Sequence, residues 1–473
     1  MGDPKLPAPN HRMWLMAPPS IAKYVMDSAT NRYHEAATWS KGKNLKNSQA
    51  DRDHSPQGTL LTQLTGRIVA VRRMKHSTFF DVRNSQQEHQ CLAGTSEYDG
   101  FGVGVADIVK LHGRPSRSRT GDAVLEVDSL VCLSKPSGQE SLTDDFRAGA
   151  LRRTGRSVRQ DRAREILVDS GLRERLRVRI RVMRSIRQSL LELGFDEIDI
   201  PVIVTSPFAG TANLFRLNSA DLASVDLYLR GSLESHLKQL IVAGFESAYC
   251  MGASFRNESA ELHEFLMVEG MSSRFDQSQL IDMVEQVIRG AALSVRGFPA
   301  VANNRVEALA TPWRRDTFSA ITGASANEGA SVKRAYDALR GPISDGFRLP
   351  VFVDKFPAVL SPLAQRDESL AGNAMRGYMF FSGLRICEIV QEQADAEEQR
   401  AVFEAQKLSI AGDSGAKKDS WAYDSELLEA LKLGCPPLSG FGIHINRLVA
   451  ALTDVRRVSD VVPFPLASGL MAR

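Results

Sequence analysis

Leu64-Thr-Gly-Arg-Ile-Val-Ala-Val71, Thr78-Phe-Phe-Asp-Val82 and Gln90-Cys-Leu-Ala93 follow one another with only short turns between them. Asp107-Ile-Val-Lys-Leu-His-Gly113 and Val124-Leu-Glu-Val-Asp-Ser-Leu-Val131 complete the series. Each segment has the length and the β-branched or aromatic content of a strand, and Arg119-Thr-Gly-Asp122 supplies a hairpin turn between the last two. Five strands in about 70 residues predict a small barrel.

A five-stranded barrel of this size is the OB-fold architecture, which binds oligonucleotides. We assign it residues 59–136. Phe79 and Phe80 are adjacent on one strand, so their side chains point to opposite faces. Either one is core and the other a stacking platform for a base, with Arg72 beside it, or both are core.

Upstream, residues 1–58 are rich in Pro, Asn, Ser and Lys and read as a mobile extension. Downstream, residues 137–170 read as a basic linker. A long amphipathic helix follows over Leu172–Leu193 and stops at Gly194. From there helices and strands mix without a βα repeat, so residues 171–473 predict an α+β domain with a mostly antiparallel sheet flanked by helices.

The chain has 473 residues, 43% hydrophobic and 24% charged, with a formal net charge of +3. These are ordinary values for a globular enzyme with a large core, not for a polycation. Arginines are dense from Arg147 to Arg187, including Arg162, Arg173, Arg175, Arg177, Arg179 and Arg181. That density suits phosphate contact; it equally suits a solvated helix face laced with ion pairs. The cysteines (91, 132, 250, 387 and 435) lie far apart with no CxxC pair, so zinc and redox motifs are unsupported and no metal ligands are assigned. No apolar run is long enough for a membrane span, and the opening Met1-Gly-Asp-Pro-Lys-Leu-Pro-Ala-Pro9 lacks a signal-peptide core. A cytoplasmic location is the expectation.

Three further stretches carry a resemblance. Gly194-Phe-Asp-Glu-Ile-Asp-Ile-Pro201 resembles motif 1 of the class II aminoacyl-tRNA synthetases. Phe255-Arg-Asn-Glu258, with Glu264-Phe265 and Glu269, resembles motif 2, and Gly440-Phe-Gly-Ile-His-Ile-Asn-Arg447 resembles motif 3. Asp226-Leu-Tyr-Leu-Arg-Gly-Ser-Leu-Glu-Ser-His-Leu-Lys238 is similar to the strand and helix before motif 2 in lysyl, aspartyl and asparaginyl enzymes, and Leu360-Ser-Pro-Leu-Ala364 and Gly113-Arg-Pro-Ser-Arg-Ser-Arg-Thr-Gly-Asp122 are similar to the lysyl versions. The resemblance runs over about residues 60–470, and the ordered triplet is what makes it specific.

The resemblance implies a homodimer through motif 1, ATP and an amino acid as substrates, and tRNA as a partner reached through the barrel. It places Arg256 on the α-phosphate and substrate carboxylate, Arg447 on the γ-phosphate, Phe265 against the adenine and Glu258 on its amino group. Gly442 lets the motif 3 strand pass close to the nucleotide, because glycine lacks Cβ. Arginine suits phosphate, since its planar fork binds oxygens bidentately and keeps its proton. Glu234 and Glu269 match pocket positions. Glu392, in Gly383-Leu-Arg-Ile-Cys-Glu-Ile-Val-Gln-Glu392, matches the glutamate that holds the lysine ε-amine. Its other reading is a solvated charge in an acidic run with Asp395, Glu397 and Glu398.

The chain also departs from the pattern. The loop after Glu258 is short, and His263 stands in for the family's loop arginine or histidine. The two carboxylates that usually hold Mg²⁺ fall on Tyr378 and Arg385, which counts against the ion there. His444 replaces the third glycine of motif 3, Met271 the lysyl tyrosine, and Glu388 an asparagine. The expected function is therefore ATP-dependent activation of lysine or a lysine-like amino acid and its transfer to an acceptor. The alternatives are a tRNA-independent aminoacyl ligase and a non-catalytic tRNA- or amino-acid-binding paralogue.

Overall fold

The structure is a computed structural model that describes residues 62–85, 87–149, 162–206, 213–222, 224–257, 262–324, 329–411 and 424–466. The extension over residues 1–58 and Glu258 lie outside the described residues. Two units divide at Ala148/Gly149.

In the first unit, β1 (Thr62–Arg73), β2 (Ser77–Arg83), β3 (Glu88–Gly94), β4 (Ile108–Arg117) and β5 (Ala123–Ser134) form a closed barrel in the order β1-β2-β3-β5-β4. All five expected strands form, each longer than the sequence pattern alone implied. The alternation along β2 sends Thr78, Phe80 and Val82 inward. Phe80 is fully buried, with its ring centroid 5.0 Å from that of Tyr98 on the short helix α1 (Thr95–Gly100) that packs on the barrel. Phe80 is thus core and not a nucleic-acid platform, a correction to its place among the candidate contacts. Phe79 is only partly buried and is cross-strand partner to the exposed Arg72. Gly113 sits where β4 shifts register against β5; a Cβ there would lie 2.3 Å from the Glu126 carbonyl oxygen. Gly121, at φ +90°, makes the expected β4–β5 turn.

The stretch read as a linker opens with helix α2 (Gln139–Ala148), in the barrel's own unit. Gln139 Nε2 fixes it by donating to the Val105 carbonyl at 2.9 Å and to Asp107 Oδ1 at 3.2 Å.

The second unit starts with α3 (Arg162–Val168) and α4 (Ser170–Glu192). Asp169 caps α4 by accepting from the Leu172 amide at 2.9 Å, and Gly194 ends the turn beyond it at φ +76°. Val178, Val182, Ile186 and Leu190 recur every fourth residue and form one buried stripe. The stripe shares a core with α6 (Gln277–Leu293). Arginines here act mainly as clamps. Arg162 donates to the Pro463 and Val462 carbonyls at 2.9 and 2.6 Å, Arg175 to the Asp460 carbonyl at 3.1 Å, and buried Arg179 to Asn446 Oδ1 at 2.5 Å.

The eight-stranded sheet comprises β6 (Asp196–Glu197), β7 (Ser247–Phe255), β8 (Glu264–Ser272), β9 (Arg314–Thr317), β10 (Val351–Asp354), β11 (Arg376–Phe381), β12 (Leu384–Gln391) and β13 (Ser439–His444). Their order is β9-β10-β11-β12-β13-β8-β7-β6, antiparallel except at the two outermost pairs. Helices α5 (Glu234–Val242) and α7 (Ile445–Leu452) precede β7 and follow β13. One sheet face, with Tyr249, Val268, Ile389, Phe441 and Ile443, joins α4, α6 and α7 in the largest core. The period of two sends the alternate residues to the opposite face, where the polar groups collect.

Candidate active site

Cross-strand register builds the polar face. Glu388 pairs with Gly442, and Gly442 pairs with Glu269, so a glycine separates two carboxylates on the strands that flank β13. One step along, Gly440 passes over Glu392: a Cβ there would stand 2.9 Å from Glu392 Oε1. A side chain at that crossing would push the Glu392 carboxylate aside.

The acidic end of the face is organised by internal partners. Glu269 accepts from the Leu233 amide at 2.9 Å and the Ser232 hydroxyl at 3.1 Å. Burial nevertheless pushes its carboxyl up to about 7. Glu234, at the start of α5, is raised well above the ordinary glutamate range, first by burial and then by repulsion from Glu392. Glu392 is buried, so it is no solvated charge in an acidic run. Its Oε2 lies 2.6 Å from Nζ of Lys238, which is also buried. Glu388 is held by Arg376 Nε at 2.7 Å.

At the other end of β13 the charge reverses. Arg256 stands 5.3 Å over the ring of Phe265, and the ring of His444 is 6.1 Å from that same phenylalanine. His444 is buried against the site face, narrowing it; Arg385 Nη2 lies 3.5 Å from its Nε2. Burial, then the fields of Arg447, Arg385 and Arg256, hold His444 well below the ordinary imidazole value. Arg447, on α7, donates to the Arg385 carbonyl at 3.3 Å. Its own value falls to about 9 through burial and the neighbouring Arg385, Arg340 and Arg256. Among the described residues, neither Arg385 nor Arg447 has a carboxylate at ion-pair distance.

His263 sits beside Arg256, its Nδ1 3.1 Å from the Arg256 carbonyl and its ring 5.8 Å from Phe215. Gly442 is less constrained than Gly440, since a Cβ there would meet Met267 and Glu269 at ordinary contact distances. The face can therefore receive a polyanion at one end and a cation at the other.

A family model described as tRNA synthetases class II (D, K and N) matches residues 157–468. The chain belongs to this family of class II tRNA synthetases. Lysine–tRNA ligases of Moorella thermoacetica and Gloeobacter violaceus are each 30% identical to it, over 449 and 472 residues. The matches cover 85% and 90% of this chain and 88% and 90% of those proteins. A probable cytoplasmic lysine–tRNA ligase of Encephalitozoon cuniculi is 28% identical over 456 residues, covering 86% of this chain and 88% of its own.

Within this synthetase the sequence-derived candidates Arg256, Phe265, Glu269, Gly442, His444, Arg385, Tyr378 and Glu388 share the sheet face, with Arg447, Glu234 and Glu392 at its edges. Sequence reasoning did not single out Lys238, Arg376 or Tyr336. The available signal for Lys238 was its place four residues after Glu234, on the same side of α5. The two positions that the resemblance assigns to Mg²⁺ carboxylates carry a tyrosine and an arginine. Tyr378 is fully buried, its hydroxyl 3.4 Å from that of Tyr336, and the Arg385 guanidinium lies 4.5 Å over its ring. Mg²⁺ requires oxygen ligands and is repelled by a guanidinium. No helix among the described residues is long and apolar enough to cross a membrane.

Proposed function

We propose that this synthetase activates lysine, or an amino acid with a lysine-like cationic side chain, at the expense of ATP and transfers it to tRNA. The observation that carries the reading is the charge separation along β13, from Glu234 and Glu269 at one end to Arg385 and Arg447 at the other. In activation, a substrate carboxylate oxygen bonds to the α-phosphorus as the bond to the bridging oxygen breaks, and pyrophosphate leaves. Such chemistry needs alignment and cations facing the phosphates more than it needs a proton carrier. In this reading Arg256, Arg385 and Arg447 meet the phosphates and Phe265 the adenine. Glu234 and Glu269 meet the amino groups.

Lysine is favoured over a neutral substrate because, among the described residues, Glu234 and Glu269 make no ion pair at contact distance, unlike Glu392 and Glu388. In the barrel, Phe79 and Arg72 share the outer face, which supports an OB-fold role in holding tRNA. Exposed Leu191, Val202 and Ile203 beside the motif 1 stretch support a homodimer. A cytoplasmic location accords with these roles.

The test is amino-acid-dependent exchange of labelled pyrophosphate into ATP, run with lysine, ornithine, arginine and a neutral control. Exchange with a cationic amino acid, lost in Arg256→Ala, supports the reading. A second reading, a non-catalytic binding paralogue, is favoured by Tyr378 and Arg385. A folded dimer that binds tRNA but exchanges with no amino acid would establish it. Exchange without tRNA binding would point to a tRNA-independent ligase.

A further inference from the structure

We infer that the phosphates of ATP are bound here without a resident divalent cation, Arg385 supplying the positive charge at the position of the metal. The inference rests on the proposed reading of this site as an ATP site.

Arg385 is aimed by backbone geometry. β11 and β12 lose register between Met379 and Phe380: Met379 pairs with Cys387, but Phe380 pairs with Arg385. The extra residue turns Arg385 onto the same face as Tyr378, Glu388 and Gly442. There its guanidinium is fixed over the Tyr378 ring and beside His444 Nε2, while its carbonyl accepts from Arg447. The ring underneath is itself positioned by the contact with the Tyr336 hydroxyl. The cation is thus preorganised by uncharged groups, and no carboxylate among the described residues neutralises it.

Glu388 is engaged by Arg376 and Glu392 by Lys238, while Glu234 and Glu269 lie at the acidic end that the proposed reading gives to the amino acid. At the arginine end an incoming Mg²⁺ would face Arg256, Arg385 and Arg447 with no free carboxylate pair among the described residues there, and would add repulsion that each guanidinium avoids by meeting phosphate directly. The site's chemistry therefore selects the fully charged, metal-free nucleotide.

Calorimetric titration of the full chain with ATP, in EDTA and again in excess Mg²⁺, tests this. We expect binding in EDTA at least as tight as in Mg²⁺. Arg385→Ala should weaken binding in EDTA by roughly tenfold or more, the equivalent of one charge-assisted contact, and Arg385→Lys should restore part of it. Binding only in Mg²⁺ would overturn the inference and leave the ATP-site reading intact. Absence of binding in both conditions overturns both. Should Arg385→Ala not fold, Mn²⁺ serves on the unaltered chain. Enhanced water relaxation on adding protein to Mn²⁺–ATP would put metal in the complex and overturn the inference; unchanged relaxation with ATP bound supports it.

Discussion

Nζ of Lys238 lies 2.6 Å from Oε2 of Glu392, and the two side chains are 0% and 2% exposed. The ammonium comes from α5 and the carboxylate from just beyond β12, so the pair ties a helix to the sheet beneath the acidic end of the site. The glutamate assigned to a substrate amine already carries an internal one. In the proposed reading, recognition of a substrate cation then falls chiefly on Glu234 and Glu269.

Removing Lys238 alone leaves a buried carboxylate uncompensated. Lys238→Met should lower the unfolding free energy by about 3–5 kcal/mol, with most of the loss recovered in Lys238→Met/Glu392→Leu. Urea denaturation of the three proteins measures both values. A single variant as stable as the parent would refute the buried-pair assignment.

Glu269 gives a pH dependence with a definite sign. Burial raises its folded-state value to about 7, so the native chain holds a proton that the unfolded chain has released. The stability this contributes is fully present below the ordinary value of about 4.3 and is lost as pH rises through about 7. Glu269→Gln should therefore flatten the pH profile of stability over that interval. A bound substrate cation favours the ionised form, so lysine affinity should rise across the same range in the parent and not in the variant. Parallel stability profiles for the two proteins would contradict the shifted value.

The barrel and the long helix were legible because their signals are local. Thr78-Phe-Phe-Asp-Val82 alternates every second residue, and the stripe from Val178 to Leu190 recurs every fourth. Arg256, Phe265 and Glu269 were legible through resemblance, since motif order carries them. The Lys238–Glu392 pair was not, because partners so distant in sequence meet only after the sheet has formed. Nor was the aim of Arg385, which depends on a one-residue bulge. The arginine-dense stretch fits neither sequence reading fully: Arg177 pairs with Glu174 at 2.5 Å and Arg162 with Glu165 at 2.6 Å, but Arg162 also binds carbonyls, as does Arg175, and Arg179 binds an amide oxygen.

Those clamps make a prediction of their own. Arg162 is nearly buried and holds the Val462 and Pro463 carbonyls as well as Glu165 at 2.6 Å. Arg162→Met should cost about 1.5–3 kcal/mol for each charge-assisted bond lost. The C-terminal segment after Asp460 should become cleavable in limited proteolysis before the rest of the unit. Unchanged cleavage order would show that the clamp is dispensable.

Phe79 and Phe80 are neighbours with opposite assignments, which makes them a controlled pair. Phe80 fills the barrel against Tyr98, so Phe80→Ala should cost about 3–5 kcal/mol, read as a lowered unfolding midpoint. Phe79 lies outside beside Arg72, so Phe79→Ala should leave the midpoint nearly unchanged. If the outer face stacks an RNA base, that same variant should weaken tRNA binding by about 1–3 kcal/mol in a filter assay at fixed salt. Arg72→Ala should lower both affinity and the steepness of its salt dependence, because one phosphate contact releases one set of counterions. The two phenylalanines share a backbone, so a barrel that merely loosened would weaken both readouts together. Lost tRNA affinity with an unshifted midpoint is the result that assigns the outer face to nucleic acid; unchanged affinity in both Phe79→Ala and Arg72→Ala would remove it.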